Sequence, residues 1–146
     1  MKKLFTLIIV LLSLTTLFTA CGNRNTKKTA ENSATETTVQ ATDASTVYVY
    51  YFHGKQRCKT CIAVGDVTEK TIKDLYANNP KVKFMEVKTH EEQNAALVEK
   101  YEVTWNALII AKGDNSNDIT KYAFANAINS PEILTDLIKT EVDKRL

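Results

Sequence analysis

Cysteine, net charge and, over one long stretch, bulky side chains are all scarce in this chain. Each scarcity excludes something. Three cysteines, one isolated at Cys21 and two together at Cys58 and Cys61, cannot form the multi-bridge framework that staples small exported domains. A formal charge of only +2 gives no basis for a nucleic-acid partner or an electrostatic grip on anionic lipid. Lys2 and Lys3 account for that excess, and without them acid and base balance. Residues 22–46 are Asn, Thr, Lys, Ala, Glu and Ser with almost nothing large. Such a stretch cannot bury enough surface to offset its ordering entropy, so it reads as a flexible tether.

What is present begins with a leader. Lys2 and Lys3 precede an apolar run at residues 4–18, and small Thr19 and Ala20 follow. That is the layout of a secretory signal peptide, and it falls short of the ~20 apolar residues that a membrane span needs. Phe18-Thr19-Ala20-Cys21-Gly22 resembles the bacterial lipoprotein signal. The resemblance implies that Cys21 is lipidated and becomes the first residue; an uncleaved anchor is the alternative. The expected organisation is a signal at 1–20, a tether at 21–46 and one folded domain at 47–146. The expected location is the cell envelope, with the lipid anchor in a bacterial membrane and the domain facing the periplasm or the exterior.

About 100 residues hold one core. Residues 47–52 (VYVYYF) are continuously β-branched and aromatic, as in a strand buried on both faces. His53-Gly54-Lys55-Gln56-Arg57 follows as a loop. After Cys61 the period turns helical through Val64, Val67, Thr71, Ile72 and Leu75. Gly65 inside that run marks a kink or a close helix–sheet approach, since it costs ~1 kcal/mol against alanine. Residues 82–87 read as a second strand. Thr89 to Glu92 reads as a capping box opening a second helix. Residues 107–111 form a third strand and 113–117 a turn. Residues 119–124 form a fourth strand, antiparallel to the third. Ser130-Pro131 opens the last helix. The expected order is β-α-β-α-β-β-α, with the first three strands parallel through right-handed crossovers.

The chemistry concentrates in Cys58-Lys59-Thr60-Cys61, between strand and helix. A helix start offers free N–H groups and partial positive charge, and both favour a thiolate. Thiolate is the nucleophile. Lys55, Arg57 and Lys59 add positive charge near Cys58. Cys58, the earlier and more exposed residue, is expected to attack, and Cys61 to resolve the mixed disulfide. Two other uses of the pair stand beside this one. It is an inert disulfide, which in so short a loop gains little, or it binds a soft metal. In the second case Cys58, Cys61 and His53 would hold copper(I), zinc or trivalent arsenic. His53 by itself reads as a loop residue, and His90 as solvent-facing. Trp105 is either core filler or a substrate-facing anchor.

A strand, the Cys58-x-x-Cys61 pair, a long helix and the remaining β-α-β-β-α resemble the thioredoxin-like family over nearly the whole domain. The resemblance implies an α/β three-layer sandwich with a mixed four-stranded sheet, and thiol–disulfide oxidoreductase activity that needs no cofactor. Arg57-Cys58-Lys59-Thr60-Cys61 after Tyr51-Phe52-His53-Gly54 is also similar to small exported thioredoxin-like proteins of Bacteroidetes-type bacteria. Some of these are named as subunits of a nitrophenyl-compound nitroreductase system. Two departures stand out. Where the family has a proline before the third strand, this chain has Thr104-Trp105-Asn106-Ala107, so Asn106 or Ala107 faces the dithiol. The first strand also lacks the family's buried acid. The expected partners are a protein or small-molecule disulfide or thiol, a membrane redox donor and the bilayer through Cys21. A metal or arsenic(III) carrier, an accessory subunit of a reductase and a non-catalytic adaptor are the alternatives.

Overall fold

The computed structural model describes residues 43–146. The expected signal, Cys21 and the tether up to residue 42 lie outside the described residues. Asp43 to Thr46, assigned by composition to the tether, form a turn in which Asp43 accepts hydrogen bonds from Ser45 and Thr46. Among the described residues no helix is long and apolar enough to cross a membrane.

Strand β1 (Val47–His53) has every residue buried, as a continuous apolar run covered on both sides must. Its side chains divide by the two-residue period. Val47, Val49 and Tyr51 enter one core, while Tyr48, Tyr50 and Phe52 enter the other. His53 closes the strand rather than opening the loop, and pairs with Lys88. Helix α1 (Lys59–Tyr76) turns Cys61, Val64, Gly65, Thr68 and Ile72 inward. Leu75, expected on that stripe, is exposed, and Tyr76 is buried in its place. The Tyr76 hydroxyl donates to Asp143 Oδ1 at 2.6 Å. Strand β2 (Val82–Lys88) runs parallel to β1.

Three expectations fail beyond β2. The capping box does not form, because the Thr89 hydroxyl and N–H both donate to the His53 carbonyl at the end of β1. A 3-10 turn (Glu92–Asn94) leads instead into a short helix, α2 (Ala95–Lys100). Strand β3 (Ala107–Lys112) is antiparallel to β1, with Ala107 opposite Phe52. The expected parallel crossover would have had to return along the sheet. Six helical residues rise only about 9 Å against the roughly 23 Å length of a seven-residue strand. The chain therefore re-enters the sheet at the end where β2 leaves it. Finally, the fourth strand is β4 (Asn115–Asp118), and residues 120–126 are helical as α3 (Thr120–Asn126). The turn shrinks to Gly113-Asp114, with Gly113 at φ +57°. All four residues of β4 are exposed, so no apolar alternation marks it. Ile119, Ala123 and Ala127 are buried at the spacing of one helix face, and Asp118 Oδ1 accepts from the Thr120 N–H.

Helix α4 (Pro131–Asp143) is the last element among the described residues. The sheet order is β2-β1-β3-β4. Helices α1, α3 and α4 cover one face and α2 the other, which gives the expected three layers and mixed sheet. Leu134, Ile138 and Val142 of α4 are completely buried, each stabilising by about 1.5–3 kcal/mol.

The carboxylate of Glu141, on the same helix, is buried and accepts from Lys144 Nζ (2.7 Å), Asn117 Nδ2 (2.9 Å) and Arg145 Nη1 (2.9 Å). These bonds, that from Lys144 foremost, hold its carboxyl at about 2, below its ordinary 4.5. A lowered folded-state value stabilises the fold above the unfolded value, and that contribution is lost as pH falls from about 4.5 through about 2. Full loss is expected to remove on the order of 2 kcal/mol, discounted because Lys144 stands mostly in solvent. Denaturant titrations over that range should show the loss in the wild type and a flatter profile in Glu141→Gln.

Candidate functional site

Cys58 is the N-cap of α1, in extended conformation (φ −78°, ψ 167°). Cys61 sits one turn further in, and the two are disulfide-bonded with Cα atoms 5.0 Å apart. Cys58 is exposed, whereas Cys61 keeps only 4% of its surface. The Cys61 N–H donates to Cys58 Sγ at 3.1 Å, so a free amide of the helix start is aimed at that sulfur. The first turn of α1 carries no acid and opens on Lys59. A lysine there opposes the helix dipole by about 0.3–1 kcal/mol. It serves the helix poorly and an anionic sulfur well.

Beneath the pair lies a cluster that links both strands to the helix. Tyr51 is fully buried, and its hydroxyl donates to the Cys61 carbonyl at 2.5 Å. Burial pushes the Tyr51 phenol above its ordinary range, which keeps that donor protonated. The Arg57 guanidinium lies over the Tyr51 ring, 5.5 Å from its centre. Arg57 Nη1 donates to Glu86 Oε1 at 3.0 Å. Gly65 makes room for it: a Cβ there would stand 2.6 Å from Arg57 Nη2 and 3.0 Å from the Tyr51 ring. The glycine is therefore the close helix–sheet approach, and the guanidinium fills it. His53 is buried and stacks on Tyr51 at 5.6 Å. Its Nδ1 donates to the Gly54 carbonyl at 2.8 Å. Its Nε2 is 3.1 Å from Glu86 Oε1, without the alignment of a hydrogen bond.

Across from the dithiol is the segment between α2 and β3. Helix α2 ends in a Schellman turn: Glu102 sits in the left-handed region at φ +51°, its N–H meets the Glu99 carbonyl, and the Val103 N–H meets the Val98 carbonyl. That motif satisfies the last helical carbonyls and fixes the exit direction of the chain. Three residues after Glu102, Trp105 is 80% exposed, and Asn106 then points its Nδ2 at Cys61 Sγ, 3.9 Å away. Ile62, beside Cys61 in the first turn of α1, is also exposed.

Cys58, Cys61, Arg57, Lys59 and Asn106 thus gather at one end of the sheet. Trp105 is no core filler, since it stands in solvent next to Asn106. Arg57 is largely neutralised by Glu86, so Lys55 and Lys59, both exposed and in no ion pair among the described residues, carry the remaining positive charge. His53 is a buried strand residue facing Glu86, not a loop residue. Among the described residues no three His, Cys, Asp or Glu side chains gather as a metal would require, so the set Cys58, Cys61 and His53 is not brought together. His90 is exposed, as expected. Glu86 and the Tyr51 platform were missed. The available signal was Glu86 itself, a carboxylate on the apolar side of β2, after Val82 and Phe84.

A central β1 flanked by a parallel β2 and an antiparallel β3-β4 hairpin is the thioredoxin-like fold, and here a CxxC pair opens the helix after β1. No protein-family model matches the chain, and no curated protein does. Similar solved structures include one described as a malarial protein, at TM-score 0.43 and 23% identity over 66% of this chain and 98% of that one. Another is the zinc-bound form of human ERp44, at TM-score 0.48 and 15% identity over 66% of this chain and 27% of that one. Both scores are low, and the fold assignment rests on the strand order and directions.

Proposed function

We propose that this is a thiol–disulfide oxidoreductase held at a membrane by lipid on Cys21. The tether lets the domain exchange electrons between a membrane donor and an acceptor outside the cytoplasm. The observation that carries the chemistry is the asymmetry of the pair: an exposed Cys58 at a helix start, bonded to a buried Cys61. Cys58 forms the mixed disulfide and Cys61 resolves it. Exposed Trp105 and Ile62 flank the pair and supply the apolar contact for a substrate, with Lys55 and Lys59 at its rim. Service as an accessory subunit of a reductase system is the same chemistry with a neighbouring enzyme as acceptor.

The test is trapping in the producing cells. A Cys61→Ser chain is expected to accumulate mixed disulfides through Cys58, visible on non-reducing gels and missing from the Cys58→Ser, Cys61→Ser chain. The intact dithiol is expected to reduce a protein disulfide in vitro. No adducts and no reduction would overturn the proposal.

A further inference from the structure

One sulfur of the pair is well provided for and the other is not. Cys58 Sγ is exposed at the helix start and takes the Cys61 N–H. Cys61 Sγ is buried, and the nearby Tyr51 hydroxyl is spent on the Cys61 carbonyl rather than on its sulfur. A thiolate in such a place is disfavoured unless a donor faces it. Among the described residues, the side-chain donor that reaches Cys61 Sγ is Asn106 Nδ2, at 3.9 Å, and Asn106 makes no other side-chain hydrogen bond there. Its backbone is held from both sides. Ala107 begins β3 opposite Phe52, and the Schellman turn at Glu102 fixes the approach from α2.

We propose that Asn106 is a catalytic residue that stabilises the charge on Cys61 when the disulfide opens. This rests on the thiol–disulfide reading above and deepens it. A substrate thiol first gives its proton to solvent, and its thiolate attacks Cys58 Sγ. The Cys58–Cys61 bond breaks as the bond between the substrate sulfur and Cys58 forms. The electron pair of the broken bond goes to Cys61 Sγ, which becomes a thiolate facing the Asn106 amide N–H. In the reverse direction that thiolate attacks Cys58 Sγ in the mixed disulfide. The disulfide re-forms and the substrate sulfur leaves as a thiolate. Where the mixed disulfide arose from attack of the Cys58 thiolate on a substrate disulfide, with the substrate's other sulfur released as a thiolate, this step completes the transfer of two electrons from the dithiol to the substrate. Cys61 carries no charge in the oxidised state, so the amide acts chiefly on the thiolate and favours the open form over the disulfide.

Asn106→Ala and Asn106→Asp test this in the full-length chain. In a Cys58→Ser background, the pH profile of Cys61 alkylation is expected to move up by about one unit in Asn106→Ala, a tenfold loss of thiolate, and further in Asn106→Asp. That size is what one hydrogen bond to a charged group implies. Equilibration of the intact pair with glutathione is expected to shift about tenfold toward the disulfide in Asn106→Ala. Asn106→Ser, which restores a donor, is expected to recover part of the shift. Cys58 alkylation in a Cys61→Ser background should not move. An unshifted Cys61 profile in a folded Asn106→Ala chain, checked by circular dichroism, would overturn the proposal, as would an equal shift at Cys58. Glutathione equilibrates with the pair whether or not the chain reduces protein disulfides. A failure here is therefore distinct from a failure of the trapping test.

Discussion

With Cys61 changed to serine, the remaining Cys58 is expected to react with iodoacetamide on the order of a hundred times faster at neutral pH than Cys61 does in the Cys58→Ser chain. Two effects act in the same direction. Cys58 is exposed, while Cys61 retains 4% of its surface, so the reagent reaches the first sulfur far more readily than the second. The electrostatics also differ. The Cys58 sulfur accepts the Cys61 N–H at the start of an eighteen-residue helix, with Lys55 and Lys59 nearby and no acid in the first turn. Each of these favours thiolate, and thiolate is the reacting species. Comparable alkylation rates in the two folded variants would remove the basis for giving attack to Cys58 and resolution to Cys61.

Tyr51→Ala is expected to lower the stability of the domain by about 3–5 kcal/mol, read from denaturant midpoints at unchanged slope. Tyr51 is fully buried in the larger core, between β1 and α1. Its removal leaves a cavity beside Gly65, on a helix that the Tyr76–Asp143 bond and the α4 packing hold in place, so the site collapses poorly. Tyr51→Phe keeps the ring and loses one hydrogen bond, which should cost about 1 kcal/mol. The pair of variants separates the ring as a platform from the hydroxyl as a tie to Cys61. If alanine cost no more than phenylalanine, the ring would not be what supports the start of α1.

The elements that could be read from sequence were those whose signal is local. The apolar run at β1, the helical period after Cys61 and the Ser130-Pro131 start each declare themselves within a few residues. So does the dithiol, because a CxxC pair between strand and helix is a local pattern with a specific chemistry. The direction of β3 is not local. It depends on α2 being too short to return along the sheet, and α2 begins only at Ala95, with Thr89 bonded to His53 instead of capping a longer helix. The Asn115–Asp118 strand has no buried side and so no pattern to read. The supporting cluster has the same character. Tyr51 and Glu86 are 35 residues apart, and only the parallel register that sets Tyr51 opposite Glu86 brings Arg57 between them. Trp105 could not be placed because a lone aromatic looks the same in sequence whether it fills a core or stands in water.

Strand β1 has a consequence for the order in which the molecule can be made. Among the described residues it is the first strand to be synthesised, yet it lies in the middle of the sheet, with one edge completed by β2 and the other only by β3. The second pairing joins Tyr48 to Ala111, so a growing chain carries an unpaired edge until residue 111 has emerged. During that interval VYVYYF is a stretch of high β-propensity without charge, the composition that drives strand-to-strand association between chains. Completion of the sheet therefore waits on a late, long-range contact. Chains truncated before Ala107 should aggregate through β1 rather than remain as soluble fragments.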